Sequence, residues 1–261
     1  MIYTKEDFKK MRKAGNVAMR TLDYIAAFIK EGVTTEYLDD LCNDFIVKKG
    51  AVSACKGYMG YPRYTCISVN HVVCHGIPSP DKKLKKGDIL NIDVTVILDG
   101  FYGDTSRMYT VGKGSVKSDK LISVTYESLW NAILNIRPGS HLYDIGDIIS
   151  ETVKPYKYGI VRDYCGHGVG AKFHEDPTVL HFKNRYSNLV LKPGMIFTIE
   201  PMINEGSYEV KMLQDDWTVV TKDKSLSAQF EHSIGITDDG VEVFTITDEE
   251  REKFSDKLSV W

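Results

Sequence analysis

Apolar residues recur near the start of the chain at spacings of three and four: Phe8, Met11, Gly15, Ala18, Leu22, Ile25 and Ile29. That period places them on one face of a helix. It predicts a helix over residues 4–30, entered through a Thr4/Asp7 capping box and broken at Gly32. Thr34 or Thr35 caps a second helix, with Leu38, Leu41 and Phe45 inward and Gly50 at its end. From Val52 to Val73 the pattern turns strand-like and aromatic, interrupted by the turn residues Tyr58, Gly60, Tyr61 and Pro62. The loop Cys74-His-Gly-Ile-Pro78 and a lysine-rich turn lead into Leu84-Lys-Lys-Gly-Asp-Ile-Leu-Asn-Ile-Asp93.

The chain writes this last stretch twice. The second copy is Leu191-Lys-Pro-Gly-Met-Ile-Phe-Thr-Ile-Glu200. Each copy reads as a glycine turn feeding a strand and ends on a carboxylate. In the first, Leu90, Ile92, Val94 and Val96 share one face, while Asn91, Asp93 and Thr95 share the other. In the second, Met195, Phe197 and Ile199 oppose Thr198 and Glu200. Asp99-Gly100 marks a hairpin turn, and the return strand carries Phe101-Tyr-Gly-Asp104-Thr-Ser-Arg107.

After a break at Gly112 to Gly114, the second half replays the first. Leu121, Val124, Leu129, Ile133 and Ile136 predict one helix. Pro138-Gly139-Ser140 opens another, with Leu142, Ile145, Ile149 and Val153 inward and Pro155 at its end. Cys165-Gly-His167-Gly and Phe173-His174-Glu-Asp-Pro177 then precede the second repeated strand, and a β region runs on to Phe230-Glu231-His232. Asp248 to Lys257 reads as a solvated terminus. The expected architecture is α+β: two pseudo-symmetric halves, about 1–113 and 114–261, each of two helices and a hairpin bearing acids, in one domain spanning 1–261.

Composition narrows the class. The 261 residues are 43% hydrophobic, with 33 basic and 36 acidic side chains interspersed. No basic block offers the footprint of a DNA-binding protein. No stretch is long and apolar enough to span a bilayer, and the charged N-terminus lacks a signal peptide, so no membrane is expected. Five cysteines without a Cys-x-x-Cys fit reduced thiols in the cytoplasm.

The duplicated acids carry the candidate chemistry. Asp93 and Asp104 lie eleven residues apart, Glu200 and Glu231 thirty-one, so the second half holds about twenty extra residues. Singly, Asp104 reads as a turn residue, Asp93 as a salt-bridge partner, either glutamate as a solvated strand residue, and His167 as a loop histidine. Converging together, four carboxylates must share protons or be neutralised by cations. Oxygen ligands with an imidazole suit divalent first-row metals. Five such groups exceed one tetrahedral site and fit two metals about 3.5–4 Å apart.

The order Asp93, Asp104, His167, Glu200, Glu231 resembles the dinuclear site of the pita-bread metallopeptidases. Their surroundings match too: Ile-Asp-Val, Gly-Asp-Thr, Cys-Gly-His-Gly-Val-Gly, Thr-Ile-Glu-Pro and Gln-Phe-Glu-His. Within that fold, with its curved antiparallel sheet and outer helices, the chain looks like a type I methionine aminopeptidase. The resemblance implies removal of the initiator methionine from nascent polypeptides with a small second residue. It implies that Asp93 chelates one metal, Asp104 and Glu231 bridge both, and His167 and Glu200 complete the other. A bridging hydroxide would attack the first peptide bond, Glu200 would shuttle protons, and the metals would hold the substrate amine and polarise its carbonyl. Iron, manganese, cobalt, zinc or nickel would serve.

By the same resemblance His75 and His174 flank the scissile bond, His174 donating to the developing oxyanion. Cys55, Tyr58, Tyr61, Cys66, Phe173 and Trp217 match the methionine pocket, where sulfur and aromatic edges suit a thioether. Asn70, the Val72 carbonyl and Ser227 are implied to hold a monovalent cation, sodium or potassium. His71, His141, His181 and His232 are read as structural. No N-terminal zinc-finger extension is expected. A monomer suffices, and the ribosome is a further implied partner. Rival readings are a proline-directed peptidase of the same fold, a binding protein that has lost catalysis, and a carboxylate-rich nuclease or phosphatase.

Overall fold

Both halves open with a pair of helices. The computed structural model describes residues Met1–Trp261. Helices α1 (Lys5–Ala26) and α2 (Thr35–Lys48) precede strands β1 (Val52–Ser53), β2 (Cys66–Val69), β3 (Val72–Cys74), β4 (Ile89–Leu98) and β5 (Phe101–Thr110). Helices α3 (Val116–Asn135) and α4 (Tyr143–Val153) open the second half. Then come β6 (Gly159–Ile160), β7 (Gly166–Gly168), β8 (Glu175–Val179), β9 (Ile196–Ile199), β10 (Met202–Asn204) and β11 (Val210–Met212). Strands β12 (Val219–Thr221), β13 (Ser227–Gln229), β14 (Glu231–Ile236) and β15 (Val241–Val243) follow, and α5 (Asp248–Phe254) ends the series.

One antiparallel sheet runs through both halves in the order β1-β4-β5-β14-β9-β7-β8, with β2 also on β4 and β15 on β14. Strands β5 and β14 meet at its centre, and β4 and β9 lie outside them. A pseudo-twofold between β5 and β14 therefore exchanges the two repeated stretches. The exchange extends to individual hydrogen bonds. Gly87 and Gly194 have φ of +89° and +88°, a left-handed turn conformation that suits glycine. Their amides donate to Val111 O and Ile236 O, both at 2.8 Å. Likewise the amides of Gly32 and Gly139 donate to Leu84 O at 2.8 Å and Leu191 O at 2.9 Å.

Strand alternation assigns the two faces of this sheet. Leu90, Ile92, Val94 and Val96 pack with Phe8, Leu22 and Leu38 beneath α1 and α2. Phe197, Ile199 and Ile234 pack with Leu121, Ile133 and Ile149 beneath α3 and α4. The opposite face is left for the acids. Asp99 and Gly100, both with positive φ, make the two-residue turn that holds β4 and β5 in ten-pair register.

Three expectations need correction. Helix α1 keeps its Thr4 capping box but ends at Ala26, because Phe28 N–H bonds Ile25 O and Ile29 N–H bonds Ala26 O in tighter turns. In α2 the buried line is Leu38, Cys42 and Ile46; Leu41 and Phe45 are half-buried, with Phe45 stacked on Tyr24 at its flank. Asp248–Phe254 is a helix with a Thr247/Glu250 capping box, and Phe254 stacks on Trp130 with centroids 4.1 Å apart. Its charges hide a single apolar anchor that no periodicity could reveal.

The extra residues of the second half form two small sheets. Strands β10 and β13 pair with each other and β10 with β6; β12 pairs with β11 and with β3. Strands β10 to β13 lie between Glu200 and Glu231 in the chain and, with β3 and β6, build one wall of the site.

Candidate metal centre

Each of five neighbouring strands delivers one group to the polar face of the sheet. Asp93 on β4 faces Ser106 of β5, and Glu231 on β14 faces the same Ser106 from the other side. Asp104 on β5 lies opposite Thr95, Glu200 follows the last residue of β9, and His167 is the middle residue of β7. His167 stands between glycines for a packing reason. A Cβ at Gly166 would lie 2.5 Å from Thr198 O, and one at Gly168 would lie 2.2 Å from Asp176 O. Only bare backbone lets β7 sit that close to β8 and β9.

The ligand atoms of Asp104, His167 and Glu231 lie within 4.8 Å of one another. His167 Nε2 is 3.6 Å from Asp104 Oδ2 and 3.6 Å from Glu200 Oε1. These are too long for hydrogen bonds yet aimed at a common point. His167 Nδ1 lies 3.1 Å from its neighbour's carbonyl, Gly168 O. That contact keeps the proton on Nδ1 and leaves the Nε2 lone pair facing the acids.

Further polar groups orient the set. Thr95 Oγ1 donates to Asp104 Oδ1 at 2.7 Å. Thr198 Oγ1 donates to Glu200 Oε1 at 2.7 Å and accepts from His167 N–H at 3.0 Å. Gln229 Nε2 donates to Glu200 Oε2 at 3.2 Å, and His181 Nε2 accepts the Glu200 N–H at 3.0 Å. None of these four was expected from the sequence. Thr95 and Thr198 do lie two residues from an acid on the same strand face, a signal that period-two reading could have used. His181, read as structural, is buried, and its imidazole meets the site at the main-chain N–H of Glu200.

Burial dominates the electrostatics. It raises Asp104 to about 7 against the opposing pull of Thr95. It raises Asp93, Glu200 and Glu231 well above the carboxylate range, with Asp104 adding repulsion in each case. Burial also holds His167 neutral, down to about 3. Asp93 Oδ1 is buried with no hydrogen-bond partner. Clustered carboxylates, an orphaned oxygen and a presented imidazole lone pair fit divalent cations, which would satisfy all three at once.

The same cavity, about 410 Å³, is lined by all five of these residues and by His75, His174, Cys55, Tyr58, Tyr61, Cys66, Phe173 and Trp217. Tyr61 Oη reaches Thr65 O at 3.0 Å and Gly76 O at 3.1 Å, turning its ring edge to Trp217. Tyr58 packs on Phe173, and its hydroxyl lies 2.9 Å from His174 Nδ1. Cys74, Tyr164, Cys165 and Met202 also line the cavity, beyond those expected.

Asn70, Val72 and Ser227 lie outside this cavity, near one another: Ser227 N–H donates to Asn70 O at 2.9 Å. Asn70 Nδ2 donates to Asp88 Oδ1, and Ser227 Oγ is buried without a partner. His232 points away from the site, its Nδ1 2.9 Å from Thr245 Oγ1.

Buried acids and a neutral imidazole converging on a duplicated sheet define a class, the metal-dependent hydrolases. The chain belongs to metallopeptidase family M24, whose model matches residues 9–238. It is 54% identical over 246 residues to the methionine aminopeptidase of Escherichia coli K12, covering 94% of this chain and 93% of that one. The crystal structure of the methionine aminopeptidase from Rickettsia prowazekii matches with a TM-score of 0.92 and 53% identity, over 94% of this chain and 99% of that chain. A prolidase from Pyrococcus furiosus shares the pita-bread fold at a TM-score of 0.76 and 26% identity, with 95% of this chain covered but 66% of that one. No helix is long and apolar enough to cross a membrane.

Proposed function

We propose that this chain removes the N-terminal methionine of newly made polypeptides whose second residue is small. The observation that carries the reading is the single cavity of about 410 Å³ shared by the acid–imidazole cluster and a sulfur- and aromatic-lined pocket. The first suits hydrolysis and the second a thioether side chain. Asp93, Asp104, His167, Glu200 and Glu231 would hold two divalent ions, with Asp104 and Glu231 in the shared position. Such ions supply the charge that lowers the pKa of water and polarises a carbonyl.

The chain's own residues do the rest. Cys55, Cys66, Tyr58, Tyr61, Phe173 and Trp217 exclude water from around the methionine side chain. Glu200, gripped by Thr198 and Gln229, is placed to hold and pass on a proton at its carboxylate. Partial burial shifts His174 below the usual histidine range, which favours its neutral form. A Tyr58 O–H donated to Nδ1, 2.9 Å away, would put the ring proton on Nε2, free to bond a developing oxyanion. Burial, with a smaller contribution from His174, lowers His75 to about 4, so it too acts as a neutral donor, beside Trp217 and Tyr164. The preference for a small second residue rests on the family resemblance, as does the monovalent cation at Asn70, Val72 and Ser227.

Metal should be stripped with a chelator and restored one ion at a time under anaerobic conditions, with Met-Ala-Ser, Met-Leu-Ser and an Xaa-Pro dipeptide as substrates. Methionine release from Met-Ala-Ser alone is expected. Preferred cleavage of the Xaa-Pro dipeptide, or no release with manganese, cobalt or iron, would refute the reading.

A further inference from the structure

The N-terminal arm ahead of α1 reaches the pocket wall through one side chain. Tyr3 N–H donates to Gly194 O at 2.7 Å, docking the arm on the turn of the second repeat. The ring is buried, edge-on to Phe101. Its hydroxyl accepts from Ala171 N–H at 2.9 Å and donates to Glu175 Oε1 at 2.5 Å. Only Lys172, Phe173 and His174 lie between those two contacts. One phenol oxygen thus closes the base of the turn between β7 and β8 that presents Phe173 and His174 to the cavity.

The fit is close. A Cβ on Gly170 would lie 2.3 Å from the Tyr3 hydroxyl. The other Glu175 oxygen, Oε2, is buried with no partner, so Tyr3 is the carboxylate's sole side-chain donor. On the cavity side, Phe173 stacks on Tyr102, and His174 meets Tyr58 Oη and the His167 ring, centroids 4.1 Å apart.

We infer that Tyr3 is a positioning residue for the reaction, acting through Ala171 and Glu175 to fix the turn that carries His174 and Phe173. The inference rests on the reading of His174 as a donor to substrate. Tyr3→Phe removes both hydrogen bonds and keeps the ring. It should lower kcat on Met-Ala-Ser about tenfold with KM within about twofold, since small displacements of a donor cost rate more than binding.

Phe101→Leu loosens the same ring without touching the hydroxyl. It should lower the Tm at least as much as Tyr3→Phe yet leave kcat near wild type. Glu175→Gln, which retains an acceptor, should preserve kcat, whereas Glu175→Ala, which leaves the Ala171 bond in place, should lose part of what Tyr3→Phe loses and add nothing to it in the double variant. Nitrogen-15 spectra of zinc-loaded protein should show His174 as the Nε2–H tautomer in wild type and as a mixture in Tyr3→Phe. Wild-type kcat in Tyr3→Phe, equal kcat loss in Phe101→Leu at matched Tm, or additive losses in the double variant would overturn the inference. Full activity in His174→Ala would instead remove the reading of His174 beneath it, and is read separately.

Discussion

The two halves of the sheet bring their acids to the centre by different routes. In the first half Asp93 and Asp104 stand on one unbroken hairpin, held by a two-residue turn and ten register pairs. In the second half β9 and β14 still pair, His232 against Ile199, but β10 to β13 are inserted between them. The first half supplies a rigid template. The second adds, from the same scaffold, a hairpin that delivers Trp217 and a strand that delivers Gln229. Duplication explains where four carboxylates meet; the insertion supplies one wall of the cavity beside them through Met202, Trp217 and Gln229, while Cys55, Tyr58 and Tyr61 of the first half line another.

The largest expected effects test the symmetry itself. Asp104 and Glu231 occupy the inner strands and Asp93 and Glu200 the outer ones. Asp104→Asn and Glu231→Gln should each lower activity by on the order of 10³-fold or more and abolish binding of both ions in titration calorimetry. Asp93→Asn and Glu200→Gln should each leave one ion bound. One-ion binding by an inner-strand variant would break the correspondence between halves.

The threonines distinguish the halves more finely. Thr95 holds one acid, while Thr198 holds Glu200 and the His167 amide together. Losing a group that orients metal ligands costs about 10–100-fold. Thr198→Val should fall near the upper end of that range and Thr95→Val near the lower, measured as kcat/KM with metal in excess. Equal losses would show that the second half is no more tightly coupled than the first. A smaller effect isolates the insertion. Trp217→Ala should raise KM for Met-Ala-Ser about tenfold through lost apolar contact, with metal affinity unchanged.

Much of this arrangement was legible because it was written twice. A glycine turn, alternating apolar residues and a terminal acid recur in register, and alternation alone assigns both acids to the polar face. His167 was legible only through the family resemblance; singly it reads as a loop histidine, because spacing does not show that β8 and β9 approach its flanking glycines so closely. The groups that orient the acids were not legible. Thr95 and Thr198 look like any strand threonine, and His181 reaches Glu200 across nineteen residues through a backbone amide. The inward face of α2 was misassigned because Phe45 packs sideways on Tyr24, a tertiary choice that no spacing encodes. In α5 a single phenylalanine among charges anchors a helix to Trp130.

The smallest predicted signal compares the same cluster with and without metal. In metal-free protein, burial raises Asp93, Glu200 and Glu231 well above their unfolded values, and Asp104 to about 7. The native state therefore binds more protons than the unfolded chain above pH 5, and this contribution to stability is lost as pH rises through the native values. The buried histidines act in the opposite sense. His167 and His181 are lowered to about 3 and His75 to about 4, so their cost appears only as pH falls below the unfolded value of 6.5. Above about pH 7 they are neutral in both states; the carboxylates then set the slope, joined toward about pH 9 by the buried thiols of Cys42 and Cys74, which burial raises and which act in the same sense. Each excess proton changes stability by about 1.4 kcal/mol per pH unit, and for a chain of this size about 1 kcal/mol moves the Tm by 2–4 °C. Calorimetry of metal-free protein should show Tm falling across that window, by a few degrees per pH unit for each carboxyl proton the native state retains. Glu231→Gln should flatten the slope and raise the metal-free Tm. Saturating metal should reverse the slope in wild type, with protons released on binding. A metal-free Tm that rises from pH 7 to 9 would mean that the acids are already ionised and paired, and that the cluster is stable without a cation.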